Sequence, residues 1–390
     1  MAAESFDVIV IGARCAGSST ARLLADGGLR VLVLDKATFP SDTVSTPGMG
    51  DLGVKMLQKW GLLEEVRATG APHEQTVGVK YGDEPEFERE IPPGSFAPFC
   101  PRRSILDAIL IRAATEAGAE IRERAILRDL IWEDGTVVGL LYEDEKERRH
   151  EARARLVIGA DGINSQVAKL VGAEAYDVRP SRSSFRFAYY SGIPIKRVEL
   201  AWSHPVFVYV FPSNDDLACM AVAVNEETFR AHIADGDDVH ARLFAGASPR
   251  LAEAFRAGKR ETMFYSRRGR PGKKVQSHGP GWALVGDAGF FKDPVTGNGI
   301  KDAFVGAQLL SDAVLQGFKN PDSMQRCLAQ YQSYRDELGA EVFAGSQKLA
   351  SLEWTNEELP SIHQAIHDPR ERAAELLGLP LTGTTPTAAV

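Results

Sequence analysis

The chain has 390 residues, 44% apolar and 25% charged, with a net charge of −8. That is the profile of a soluble globular protein of one large or two ordinary domains, and its acidity argues against general nucleic-acid binding. The longest apolar runs, such as 206–211, are only strand-length, so no transmembrane segment is expected; MAAESF lacks a leader's basic and apolar regions, so the expected location is cytoplasmic.

Residues 7–11 read as a continuous apolar strand, 18–25 as a short helix stopped by Gly27-Gly28, and 30–34 as a second strand. Together they make one βαβ unit. Helices are expected over 53–60 and 62–67, followed by a proline-broken, strand-like stretch over 76–98. Helical spacing returns at 104–117, then strands at 120–132, 137–143 and 153–158, with Asp134-Gly135 as a hairpin turn. A second strand-rich block, 183–224, alternates apolar and aromatic residues with polar ones, as a half-buried sheet does. A helical stretch follows to about residue 260. The buried strand in GWALVGDAG then leads to a helix over 299–315, and a helical tail ends in LTGTTPTAAV, expected to be disordered.

This order predicts an α/β chain of interleaved domains: a nucleotide-binding domain from 1–75, 99–180 and 271–345, and a strand-rich substrate domain from 76–98 and 181–270. Residues 346–390 would form a C-terminal helical segment and tail. Cys15, Cys100, Cys219 and Cys327 are too scattered for a disulfide framework or a zinc knuckle and read as small core residues. His363 and His367 share a helical spacing, but Gln364 stands where a zincin has glutamate and no third ligand is in view, so no metal is expected.

The stretch GARCAG at 12–17 carries the first chemistry. Gly12 permits a tight turn, Gly17 close packing of helix on strand, and the amides at the helix start would face a pyrophosphate. Asp35 ends the second strand 23 residues after Gly12, where an acid usually takes a ribose hydroxyl. Arg14, however, occupies the middle glycine's place, exchanging close backbone approach for a charged side chain. The motif alone separates neither a bound cofactor from a bare βαβ unit nor NAD from FAD.

Two later stretches add to it: a strand running into Gly159-Ala160-Asp161-Gly162, and a strand followed by Gly286-Asp287, Pro294 and Gly297-Asn298-Gly299. Together with PRRSILDAIL at 101–110, which holds an R-x-x-L-D pattern, they resemble the FAD-binding flavoprotein monooxygenase and geranylgeranyl-reductase-like family over nearly the whole chain. The resemblance implies a glutathione-reductase-type Rossmann FAD domain with an interleaved sheet-rich substrate domain. It implies FAD contacts at Gly12, Ala13, Arg14, Ala16 and Gly17, at Asp35 and Lys36, and at Arg103 and Leu127. Further contacts are implied at Asp161 and Gly162, at Gly286 and Asp287, and along Pro294, Gly297, Asn298, Gly299 and Ile300. The family's Asp-Gly motif usually continues to a serine and an arginine; here Ser165 is present but Ala168 replaces the arginine, which weakens the assignment of NADPH or NADH to that motif.

The implied reaction is NAD(P)H- and O2-dependent oxygenation of an apolar aromatic or polyketide-like small molecule through a peroxyflavin. Such chemistry needs position and a dry cavity rather than an acid–base triad, and no catalytic side chain is assigned. Phe187, Tyr189, Phe207, Tyr209 and Phe211 are candidates to line the substrate cavity. Phe207-Val-Tyr209-Val-Phe211-Pro212 also partly matches the Y-x-W-x-F-P strand of geranylgeranyl reductases, so reduction of prenyl or polyene double bonds is the alternative. A halogenase's W-x-W-x-I-P segment is missing, which argues against halogenation, and the ring-binding segment argues against a mere flavin scaffold. With no second dinucleotide fingerprint, the reductant would bind transiently or a separate flavin reductase would serve. The basic run 266–274 reads mainly as a solvated loop.

Overall fold

A computed structural model describes residues 4–232, 236–366 and 370–379. Strands Trp282–Leu284, Arg149–Gly159, Glu4–Ile11, Val31–Leu34 and Glu120–Arg122 lie side by side in that order, all parallel. Val8, Ile9 and Val10 are fully buried because the sheet is covered on both faces, which is why the strand lacks alternation. One face packs on the helices Cys15–Asp26, Arg103–Glu116 and Gly299–Lys319. The other packs under the hairpin Ile126–Glu133/Thr136–Glu143, whose turn residues Asp134 and Gly135 take φ of 46° and 74°.

The single strand expected over 120–132 is two. Glu120–Arg122 belongs to the parallel sheet, while Ile126–Glu133 belongs to the hairpin. Between them Arg124, at φ 52°, breaks the extended run, and the Arg124 and Ala125 amides donate to the carbonyls of Ala37 and Asp35.

The second large sheet runs Lys259–Arg260, Ser183–Ser191, Ala218–Asn225, Val206–Pro212, Val198–Ser203, Thr76–Tyr81 and Phe87–Glu90, with Tyr265–Arg267 also on Ser183–Ser191. Its pairings are antiparallel except Val198–Ser203 with Thr76–Tyr81. The period of two sorts its side chains. Phe185, Phe187, Tyr189, Phe207, Tyr209 and Phe211 face one way, toward Val295 and the end of the Met324–Ser351 helix. Tyr190, Val208 and Val210 face the helices Gly236–Ala247 and Pro249–Ala257. The Met324–Ser351 helix is continuous through 345–346, so the expected C-terminal segment begins in mid-helix. The helix expected over 299–315 reaches Lys319, and LTGTTPTAAV lies outside the described residues.

Candidate functional site: three converging turns

The turns after the three adjacent strands 4–11, 149–159 and 282–284 touch one another at the carboxyl ends of the parallel sheet. Gly12 has φ +104°, and a methyl built on it would lie 2.5 Å from the Ala160 carbonyl oxygen. A methyl on Gly17 would lie 1.7 Å from the carbonyl oxygen of Gly12, and one on Gly286 (φ +62°) 2.9 Å from Cβ of Ala16. Ala13 and Ala16 are buried at the same junction. On the outer side the backbone is bare, since methyls built on Gly162, Gly297 or Gly299 would meet nothing within 4 Å. In open parallel sheets, ligands bind at this edge.

Asp35 closes one end of this edge. Its two carboxylate oxygens accept from the amides of Ala13 and Ala37, both at 2.7 Å, which ties the first turn to the end of the second strand. Each oxygen keeps a further lone pair for a hydroxyl. Lys36 beside it is exposed.

Arg14 takes the extended backbone conformation (φ −88°, ψ −164°) open to any residue, so its position does not demand glycine. Its guanidinium leaves the turn: Nη1 pairs with Asp107 at 2.7 Å and donates to the Ser41 carbonyl, while Nη2 donates to Ser41 Oγ and the Asp42 carbonyl. Asp107 is fully buried and also accepts from Arg103 at 3.0–3.2 Å and from the Cys15 thiol at 3.3 Å. Burial pushes the Cys15 thiol well up, while the Asp107 carboxylate more than offsets burial for Arg103 and raises its guanidinium. Two arginines on one carboxylate leave one net positive charge at the start of the first helix.

Asp161 turns to its own helix. It accepts from Ser165 Oγ at 2.5 Å and from the amides of Gln166 and Val167, capping the Gln166–Leu170 helix together with Ser165. Burial raises its carboxyl despite these bonds. Asp287 is different: it makes no hydrogen bond to any described residue, and burial pushes its carboxyl up to about 6 against the pull of Arg267, Lys292 and Arg103. Leu127 is a core side chain of the hairpin layer.

The segment 294–300 is held from both sides. Asp293, buried and raised by burial, accepts from Ser181 and Ser183 hydroxyls and, at 3.0 Å, from the Val295 amide. Tyr209 Oη donates to the Val295 carbonyl at 2.8 Å. Pro294 opens the 3-10 turn Pro294–Thr296, Gly297 follows at φ +66°, and Asn298 leaves the start of the Gly299–Lys319 helix without a side-chain cap. The first helical amides, at Gly299 and Ile300, therefore lie at an uncapped positive dipole end.

Against this segment lies the aromatic face. Tyr209 stacks on Phe211 with centroids 5.8 Å apart, Phe187 stacks on Tyr265 at 5.0 Å, and Phe207 is fully buried. Tyr189 is 1% exposed, with the Arg102 guanidinium 4.9 Å over its ring and its Oη without a partner among the described residues. His363 packs on Trp202 with centroids 4.1 Å apart, and burial lowers its ring to about 4. His367 lies outside the described residues, within which no group of three or more metal-ligating side chains occurs.

A family profile described as FAD binding domain matches residues 5–243. The chain belongs to the FAD-binding domain family. Among similar proteins, digeranylgeranylglycerophospholipid reductase 2 of Methanopyrus kandleri is 26% identical, covering 93% of this chain and 90% of its own. The 1H-pyrrole-2-carbonyl-(peptidyl-carrier protein) brominase of Pseudoalteromonas luteoviolacea is 27% identical over 82% of this chain and 79% of its own. Among solved structures, PqsL of Pseudomonas aeruginosa, a probable FAD-dependent monooxygenase, superposes with a TM-score of 0.78 at 22% identity, covering 93% of this chain and all of PqsL. That likeness extends to the fold.

The residues present fit FAD. A carboxylate at Asp287 with no hydrogen-bond partner among the described residues, bare glycine backbone at 162, 297 and 299, and an uncapped helix start at 299 are the donors and acceptors a polar cofactor would satisfy. Sequence reasoning missed Asp107 and Asp293 as site-building residues. Both signals were in the motifs: Asp107 is the aspartate of R-x-x-L-D, and Asp293 directly precedes Pro294.

Proposed function

We propose that the protein is an FAD-dependent monooxygenase of an apolar aromatic or polyketide-like small molecule, using NADPH or NADH and O2. The observation that carries this reading is the buried aromatic cluster of Phe187, Tyr189, Phe207, Tyr209 and Phe211, which includes Val295 and which Tyr209 ties to the 294–297 segment. FAD, when bound, supplies the two-electron redox centre.

This chain's residues do the rest. Asp35 holds a ribose hydroxyl at one end, and Asp287 accepts from hydroxyls of the cofactor's ribityl chain. The Gly299 and Ile300 amides, with the helix dipole behind them, stabilise negative charge at the ring. Tyr209 fixes the Val295 carbonyl and with it the 294–297 turn, and the surrounding aromatic side chains exclude water and hold a planar substrate against that turn. Binding the reductant transiently, or receiving electrons from a separate flavin reductase, fits a chain in which Ala168 replaces the arginine of the Asp-Gly motif.

A second reading, reduction of carbon–carbon double bonds in a prenyl or polyene substrate, is favoured by one observation. The Phe207–Pro212 strand keeps the aromatic spacing of geranylgeranyl reductases and faces the same segment. Anaerobic titration of the purified yellow protein with NADPH and NADH, followed by mass analysis of turnover products, tests both. Incorporated oxygen supports oxygenation and added hydrogen supports reduction. A protein that retains no FAD overturns both readings.

A further inference from the structure

The segment 36–48 forms no helix or strand, yet it runs between the two ends of the site. It begins beside Asp35 and ends where Gly48 meets the aromatic face, a methyl on Gly48 falling 3.2 Å from Phe211. The proposed FAD spans the same two ends, so the segment lies alongside the cofactor's path like a strap. Its fastenings are few. At one end the Phe39 amide donates to Glu123; at the middle Asp42 pairs with Arg102 at 2.7 Å and accepts from the Ser104 amide. Near its start the Arg124 amide donates to the Ala37 carbonyl, and Arg14 adds three hydrogen bonds to Ser41 and Asp42, with its guanidinium 5.1 Å over the Phe39 ring. Val44, beyond these fastenings, is 42% exposed.

We infer that Arg14 is a positioning residue that latches this strap to the buried Asp107 and thereby sets how fast FAD enters and leaves. The inference rests on the proposed FAD site. Glycine at position 14 would leave Asp107 still paired with Arg103 and Cys15, so the core of the site would stand, but the strap would lose its link to the first helix. Lysine would keep the charge and could reach Asp107 or the strap, though its single ammonium lacks the fork that serves both at once.

The test compares wild type, Arg14→Gly and Arg14→Lys by two measurements. One is hydrogen exchange of the peptide spanning 39–46, with and without FAD. The other is FAD release, followed by flavin fluorescence after dilution. Both variants are expected to exchange in 39–46 and to release FAD at least tenfold faster, with exchange in the Arg103–Glu116 helix unchanged. Faster release in Arg14→Gly alone, with Arg14→Lys like wild type, would show that charge matters and would overturn the latch. So would faster release without faster exchange in 39–46, faster exchange throughout the chain, or no change in either rate. Wild-type protein that holds no FAD would instead overturn the FAD reading underneath, a result distinct from retained FAD with unchanged rates.

Discussion

Gly17→Ala is the sharpest perturbation of the converging turns. The added methyl would lie 1.7 Å from the Gly12 carbonyl oxygen, 2.8 Å from its carbon and 3.2 Å from Cβ of Ala160. Bringing the first of these to the 3.0 Å floor of real Cβ contacts requires movement of 3.0 − 1.7 = 1.3 Å, and the obstacle is backbone rather than a flexible side-chain tip. Overpacking of this kind costs about 1–3 kcal/mol, and an immovable backbone places it near the upper end. Alanine regains roughly 1 kcal/mol of helix propensity over glycine, so the expected net loss is about 2 kcal/mol. The helix start must also move away from whatever its amides bind, and losing one charge-assisted hydrogen bond of about 1.5–3 kcal/mol weakens FAD binding roughly tenfold or more. Urea unfolding of the FAD-free protein reads the first quantity, and titration of FAD by flavin fluorescence the second. Gly162→Ala is the control for the stability measurement alone: its methyl meets nothing within 4 Å of the FAD-free protein, leaving only the strain of φ +78°, about 1–2 kcal/mol. A Gly17→Ala protein with stability and FAD affinity both unchanged would refute the steric reasoning.

The other predictions concern single polar groups. Burial raises the Asp287 carboxyl to about 6, so the folded FAD-free protein binds that proton more tightly than the unfolded chain, and the contribution of Asp287 to stability falls as pH rises from about 4 toward 6. Asp287→Asn should remove that share of the pH dependence of urea midpoints across this range, leaving the part due to the likewise raised Asp161 and Asp293, and should weaken FAD binding. Tyr209→Phe leaves the Val295 carbonyl without its 2.8 Å donor and should cost about 1–3 kcal/mol in urea unfolding. Tyr189→Phe removes a hydroxyl with no partner among the described residues and should leave FAD-free stability within about 0.5 kcal/mol, or raise it. Asp293→Ala strips the acceptor from Ser181, Ser183 and Val295; a loss of more than about 3 kcal/mol by calorimetry is expected.

Much of the parallel sheet was legible because its signals are local. A continuous apolar strand, a glycine turn and an acid at the next strand end sit within 36 residues, and each follows from backbone sterics or hydrogen bonding. The aromatic alternation of 183–212 likewise gave the strands, though not which face met the 294–297 turn; Tyr209 to Val295 spans 86 residues and no periodicity carries it. The break at 123–125 was hidden for the same reason, since its amides donate to the carbonyls of Ala37 and Asp35, just beyond the end of a strand nearly ninety residues earlier. Arg14 shows the limit most plainly. Sequence chemistry placed a positive charge beside a phosphate, whereas the side chain runs to a carboxylate 93 residues away.

The parallel pairing of Val77 with Val198, and of Ile158 with Ala283, has a consequence for synthesis. Each closes a loop of more than a hundred residues, so its entropy must be met before any partner strand is in place. A nascent chain cannot seal the edge of either sheet early. The turns at 12 and 160 can meet once residue 162 has emerged, but the third turn and the helix from Gly299 come last. No contiguous fragment ending before about residue 300 contains all of the residues proposed to hold FAD. Until then the half-built cleft exposes aromatic strand faces, and those are the surfaces a chaperone would have to shield.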